Sequence, residues 1–132
     1  MLNLPEEIAE QKFSDVGVLS YRKDDIITFE LQDGKSEQTL NSMKKDLAFF
    51  KEWANGKKLG FIVDSRKFEN FGSEARIYAQ KYSPHFSSKY AIIISSGMSS
   101  FLANMFIYIN RPSIPTKTFT SKEDAINWIT NE

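Results

Sequence analysis

The chain has 132 residues, 41% of them hydrophobic and 26% charged, the composition of one globular domain built around a single core. Its 17 basic and 17 acidic residues cancel, so it lacks the positive surplus by which nucleic-acid-binding domains are recognised. It has no Cys, which excludes disulfides, thiolate nucleophiles and thiolate metal sites, and its 11 Phe predict an aromatic core.

The opening MLNLPEEIAEQKF has neither a basic stretch nor an apolar one, so it does not read as a signal peptide. Pro5 with Glu6 and Glu7 predicts a short helix there, a helical extension over 1–13 of a single domain spanning 1–132. GVLSYRKDDIITFEL follows as a hairpin, with Val18, Ile27, Phe29 and Leu31 as strand formers and Arg22 to Asp25 as the turn. Leu40, Met43, Leu47, Phe50 and Ala54 then repeat at helical spacing, with Thr39 as N-cap and Asn55-Gly56 as the stop. LGFIVDS is a short apolar run of the kind a central strand needs.

Ser73 opens a second helix with the stripe Ala75, Tyr78, Ala79 and Tyr82. YAIIIS reads as another buried strand, and SFLANMFIYI as a helix apolar almost all round. The run Phe101–Ile109 is too short to span a bilayer, so a cytoplasmic protein without an integral membrane segment is expected. KTFT is a short edge strand, and SKEDAINWI a last helix with the capping-box pair Ser121 and Asp124. Alternating strands and helices imply an α/β fold: a mixed, mostly parallel sheet with an N-terminal antiparallel hairpin and helices packed against it.

This order, with three landmarks, resembles the STAS domain of the SpoIIAA-like group. The landmarks are FIVDS followed by SEARIYA, KYAIIIS leading into an apolar helix, and PTKTFTSKEDAINWI, which is similar to the close of uncharacterised bacterial STAS-like proteins. The resemblance implies a regulatory module working through protein–protein contacts. In the anti-sigma-factor antagonists of that fold, a serine after the central strand is phosphorylated by a partner kinase. Laid over this chain from Asp64, that serine falls at Ser73, with Gly72, Glu74 and Ala75 departing from the family's D-S-[ST]-G pattern. A phosphate beside Glu74 would be repelled.

The residues nominate few chemistries. Asp64 ends a parallel strand, where α/β proteins place ligands, but a structural ion pair with Arg76 or with Arg66 explains it as well. A phosphate-accepting receiver needs further acids beside it, and Asp24 and Asp25 lie in a hairpin turn instead. DGKS at 33–36 lacks the earlier Gly of a P-loop, since that position is Phe29. His85 is the single histidine, so neither a metal site nor a cofactor is implied, and no serine sits in a nucleophile-elbow sequence. Ser96, Ser99 and Ser100, between a strand and a helix, are candidates for anion binding or helix capping. Ile107 and Tyr108, off the main stripe of the apolar helix, and Phe49 and Trp53, off that of the first helix, are candidates for an interface. The expected function is therefore a non-enzymatic interaction module with a protein partner, a second copy included, and no nucleic acid. Two alternatives stand beside it. One is a carrier of lipid or another small apolar ligand, since CRAL-TRIO lipid carriers resemble the STAS arrangement. The other is a small hydrolase using Asp64, Ser73 and His85.

Overall fold

The computed structural model describes residues 4–71, 73–95 and 114–131. In chain order the elements are β1 (Ile8–Phe13), β2 (Gly17–Arg22), β3 (Ile26–Leu31), β4 (Glu37–Gln38), α1 (Leu40–Ala54), β5 (Leu59–Asp64), β6 (Asn70–Phe71), α2 (Ser73–Tyr82), a single 3-10 turn (Ser83–His85), β7 (Ser87–Ile93), β8 (Thr116–Phe119) and α3 (Lys122–Thr130). Six strands form one sheet in the order β1-β2-β3-β5-β7-β8, and β4 pairs with β6 in a separate parallel pair. The β1–β2 and β2–β3 contacts are antiparallel, and those from β3 through β5 and β7 to β8 are parallel. This is the mixed sheet with an N-terminal hairpin that the sequence predicts.

Strand alternation divides the core in two. Ile27, Phe29 and Leu31 of β3 face α1 with Phe61 of β5, Leu19 of β2 and the α1 stripe Met43, Leu47, Phe50 and Ala54. Ile26, Ile62, Ala91 and Ile93 point to the other face, where Ala125 of α3 covers them.

The helix ends follow the sequence closely. Thr39 caps α1: its hydroxyl accepts from the Ser42 N–H at 3.2 Å, and Ser42 Oγ accepts from the Thr39 N–H at 3.0 Å. Asn55 closes α1 in the left-handed region, with φ of 48°. Ser121 accepts from the Asp124 N–H at 3.1 Å, which is the forward half of the expected capping box.

The N-terminal segment differs from expectation. Residues 8–13 form β1 and not a helix, pairing Gln11 with Ser20 and Phe13 with Val18. Pro5, Glu6 and Glu7 make one turn, closed by the Ile8 N–H on the Pro5 carbonyl at 3.0 Å. The same residues suit a turn as well as a helix start. An isolated helix this short is marginal, while β2 offers a full row of backbone partners. The helix expected around 101–110 lies outside the described residues.

Candidate functional site

The carboxyl ends of β3, β5 and β7 lie side by side, with Glu30, Asp64 and Ile93 in register. Above them the β4–β6 pair ties together the segments that lead into α1 and α2, with Glu37 opposite Asn70 and Gln38 opposite Phe71. The first turns of the two helices thereby face each other across an open cleft of about 330 Å³. Its walls are Glu37, Gln38, Thr39 and Leu40 on one side and Ser73, Glu74 and Ala75 on the other. Helix N-termini carry partial positive charge, but Glu37 and Glu74 stand at the rim and answer it. The cleft therefore suits a neutral or hydrogen-bonding group better than a bare anion.

Ser73 is exposed and already the first helical residue of α2; the cap position before it is residue 72, outside the described residues. Of the nominated polar residues Asp64, Ser73 and His85, which are described, Ser73 lines the cleft. Ser96, Ser99 and Ser100 lie outside the described residues.

Asp64 has a local partner. Arg66 Nε and Nη2 grip its two oxygens at 2.9 and 2.5 Å, and the Arg66 backbone N–H adds a third bond at 3.1 Å. Of the two partners expected for Asp64, Arg66 grips it, since two residues along a turn is a short reach for a two-pronged guanidinium. Burial pushes the Asp64 carboxyl up, but the Arg66 side chain, backbone N–H and charge, helped by Lys67, outweigh it and hold the group below its ordinary value. Asp64 is a satisfied carboxylate, not a poised base. The following loop is pinned too: Ser65 donates both its N–H and its hydroxyl to the Ile93 carbonyl at 2.9 and 2.7 Å. Lys67 Nζ donates to the Leu31 carbonyl at 3.2 Å and pairs with Asp33 at 2.7 Å.

His85 sits at the other end of the sheet. It closes the 3-10 turn before β7, where the Leu59 N–H bonds the Phe86 carbonyl at 3.0 Å at the start of β5. Five residue steps of strand lead from Leu59 to Asp64, ~16 Å of rise. The fold thus puts Asp64 at the carboxyl end of β5, the end from which the chain leads to Ser73, and leaves His85 beside the amino end.

The aromatic pair named as an interface, Phe49 and Trp53, is partly buried against the N-terminal strands. Trp53 stacks on Tyr21 of β2 with centroids 5.9 Å apart and donates Nε1–H to Glu10 of β1 at 2.9 Å. Phe49 lies against the core with Lys12 of β1 over its ring. Both cover the added edge strand, an element that periodicity did not reveal. Ile107 and Tyr108 lie outside the described residues.

Two buried polar residues escaped the sequence reading. Gln38 and Asp46 are each 1% exposed. Gln38 Nε2 donates to Asp46 Oδ2 at 3.0 Å, while Gln38 Oε1 and Asp46 Oδ1 are buried acceptors without a partner. The available signal was the position of Asp46 in the apolar stripe, at i+3 from Met43 and four before Phe50.

Residues 20–132 match the family described as Domain of unknown function (DUF7793). The chain belongs to that family. No curated protein matches it. Among solved structures it is similar to an uncharacterized protein from the DUF3478 family with a SpoIIAA-like fold, from Shewanella loihica PV-4. Identity is 14%, each chain is covered to 98%, and the TM-score is 0.61, so the likeness establishes the SpoIIAA-like fold. No described helix is long and apolar enough to cross a membrane.

Proposed function

We propose that this SpoIIAA-like protein is a non-enzymatic cytoplasmic interaction module that receives a segment of a protein partner in the cleft between the first turns of α1 and α2. The observation that carries this reading is the cleft itself: about 330 Å³, open, with Leu40 and Ala75 among polar groups from both helices. Backbone and side-chain donors beside small apolar surfaces suit a short peptide segment. A hydrolase reading is less well supported. Asp64 is engaged by Arg66, and His85 stands beside the opposite end of β5 from Asp64. The apolar-carrier reading needs an enclosed apolar chamber beside the helix expected around 101–110, which lies outside the described residues.

The test is affinity capture from the native cell with the wild-type chain and with Leu40→Glu, whose melting temperature is measured in parallel. A protein retained by the wild type and lost by an equally stable variant supports the cleft as the docking site. Identical captured sets reject it. Mass spectrometry of the native protein decides the part of Ser73: a phosphate there would make the cleft a switched site, and its absence leaves a constitutive one.

A further inference from the structure

The two unpartnered acceptors of the buried pair belong to groups that already touch. A primary amide and a carboxyl group can form two hydrogen bonds side by side. One of them is present, from Gln38 Nε2 to Asp46 Oδ2 at 3.0 Å. The remaining oxygens, Gln38 Oε1 and Asp46 Oδ1, are both acceptors, buried and without a hydrogen-bond partner. One added proton on Asp46 turns Oδ1 into a donor, and in the side-by-side arrangement of an amide and an acid that donor meets the amide oxygen, Gln38 Oε1. A buried acceptor left unpaired is costly, so the arrangement favours that proton.

We propose that Asp46 is held as the neutral acid in the folded protein, sharing its proton with Gln38, and that this acid–amide pair is a latch fixing β4 to α1. The latch sits beneath the cleft, because Gln38 forms part of its wall and β4 carries β6 and the approach to α2.

The surroundings agree. Burial pushes the Asp46 carboxyl above its ordinary value, against the hydrogen bonds from Gln38 and Ser14. The Ser14 hydroxyl is shared with Gly17, accepting its N–H at 3.0 Å. Two charged groups act on Asp46: Asp15, which favours the proton, and Lys45, which opposes it. They pair with each other at 2.7 Å, so much of their influence cancels. On the elements packed against α1, Lys12 of β1 is held over Phe49, and α2 contributes Glu74, Arg76 and Lys81, with Lys44 of α1 reaching over Tyr78 of α2. Among the described residues no cation bonds the Asp46 carboxyl in place of the proton: its hydrogen bonds come from the Gln38 amide and the Ser14 hydroxyl.

A folded-state value raised above the unfolded one sets the sign. The proton's contribution is complete below the unfolded value and is lost as pH rises through the folded one. Between the two, the unfolding constant should rise about tenfold per pH unit. Asp46→Asn copies the neutral acid: its amide N–H can donate to Gln38 Oε1 and its carbonyl can accept from Nε2. Chemical denaturation of the full chain across this pH range should show the step in the wild type and not in Asp46→Asn. Infrared difference spectra between the two should show a protonated-carboxyl band at a pH where exposed aspartates are ionised. Superposable pH profiles, or the absence of that band, would overturn the latch. Asp46→Asn being weakened at every pH as much as Asp46→Ala would do so too.

Discussion

The two faces of the sheet are packed by opposite means. On the α1–α2 face the filling is aromatic: Phe61 meets Phe50 edge-on at 5.1 Å, Phe86 at 5.7 Å and Tyr90 in a stack at 6.1 Å. Burial there is deep enough to push the Tyr90 hydroxyl up to about 12. On the α3 face the fully buried residues are aliphatic, with Phe119 and Trp128 5.6 Å apart packed beside them, and the helix comes close. A Cβ added at Gly60 would run into Ile129 Cγ2, and Ala91 and Ala125 are fully buried. Lys89 then fastens the end of α3, donating to the Trp128 and Asn131 carbonyls at 3.1 and 3.2 Å while lying over the Trp128 ring. One face gains from volume filled and the other from volume withheld. Removing atoms should hurt the first most, and adding them should hurt the second.

The largest effect is expected at Phe61, the ring that the others surround. Phe61→Ala should destabilise by about 3–5 kcal/mol in equilibrium denaturation. A loss under 1 kcal/mol would mean that the aromatic face can collapse around the gap. Gly60→Ala should cost about 1–3 kcal/mol through overpacking. Adding Ile129→Ala should make the second substitution cheaper than it is by itself, a coupling readable in a double-mutant cycle. Additive losses would show that α3 does not depend on this close approach.

Smaller effects test how α3 and the carboxyl edge are tied. Lys89→Met keeps the aliphatic stem but removes the charge from the last carbonyls and from Trp128, for about 0.5–1 kcal/mol. Faster amide exchange confined to the end of α3 would accompany it. Asp64→Asn should cost about 0–1 kcal/mol, since Arg66 is half exposed and solvent screens the pair. The Asp64 value is lowered on folding, so its contribution is present above the ordinary aspartate range and is lost as pH falls through the folded value. Comparing acid denaturation of wild type and Asp64→Asn isolates that step, and coincident curves would remove Asp64 from the pH dependence of stability.

Most of the fold was legible because its signals are local and repeat. The stripe Met43, Leu47, Phe50 and Ala54 lies within one element, and Thr39 and Asn55 act within a turn of themselves. Asp64 was legible as the end of a strand, though its partner was not: Arg66 and Arg76 are both within sequence reach, and loop geometry brings Arg66 to it. The cleft was half legible. Ser73 and Thr39 were read as helix starts, but that the two starts face each other depends on a two-residue pairing, β4 with β6, too short to leave a periodic trace. Trp53 was read as an outward aromatic because the strand that it covers, β1, was taken for a helix.

By itself the sequence determined β2, β3, β5, β7, β8 and the three described helices, their alternation and the mixed sheet, since hydrophobic period, caps and turn residues act over a few positions and each reports its own element. The tertiary structure decided what those elements meet. It turned the N-terminal segment into an edge strand and put His85 and Asp64 at opposite ends of β5. It also closed a wet-looking Asp46 into the core against Gln38. These outcomes rest on contacts between residues distant in the chain, and their free energy exists only once both partners are in place.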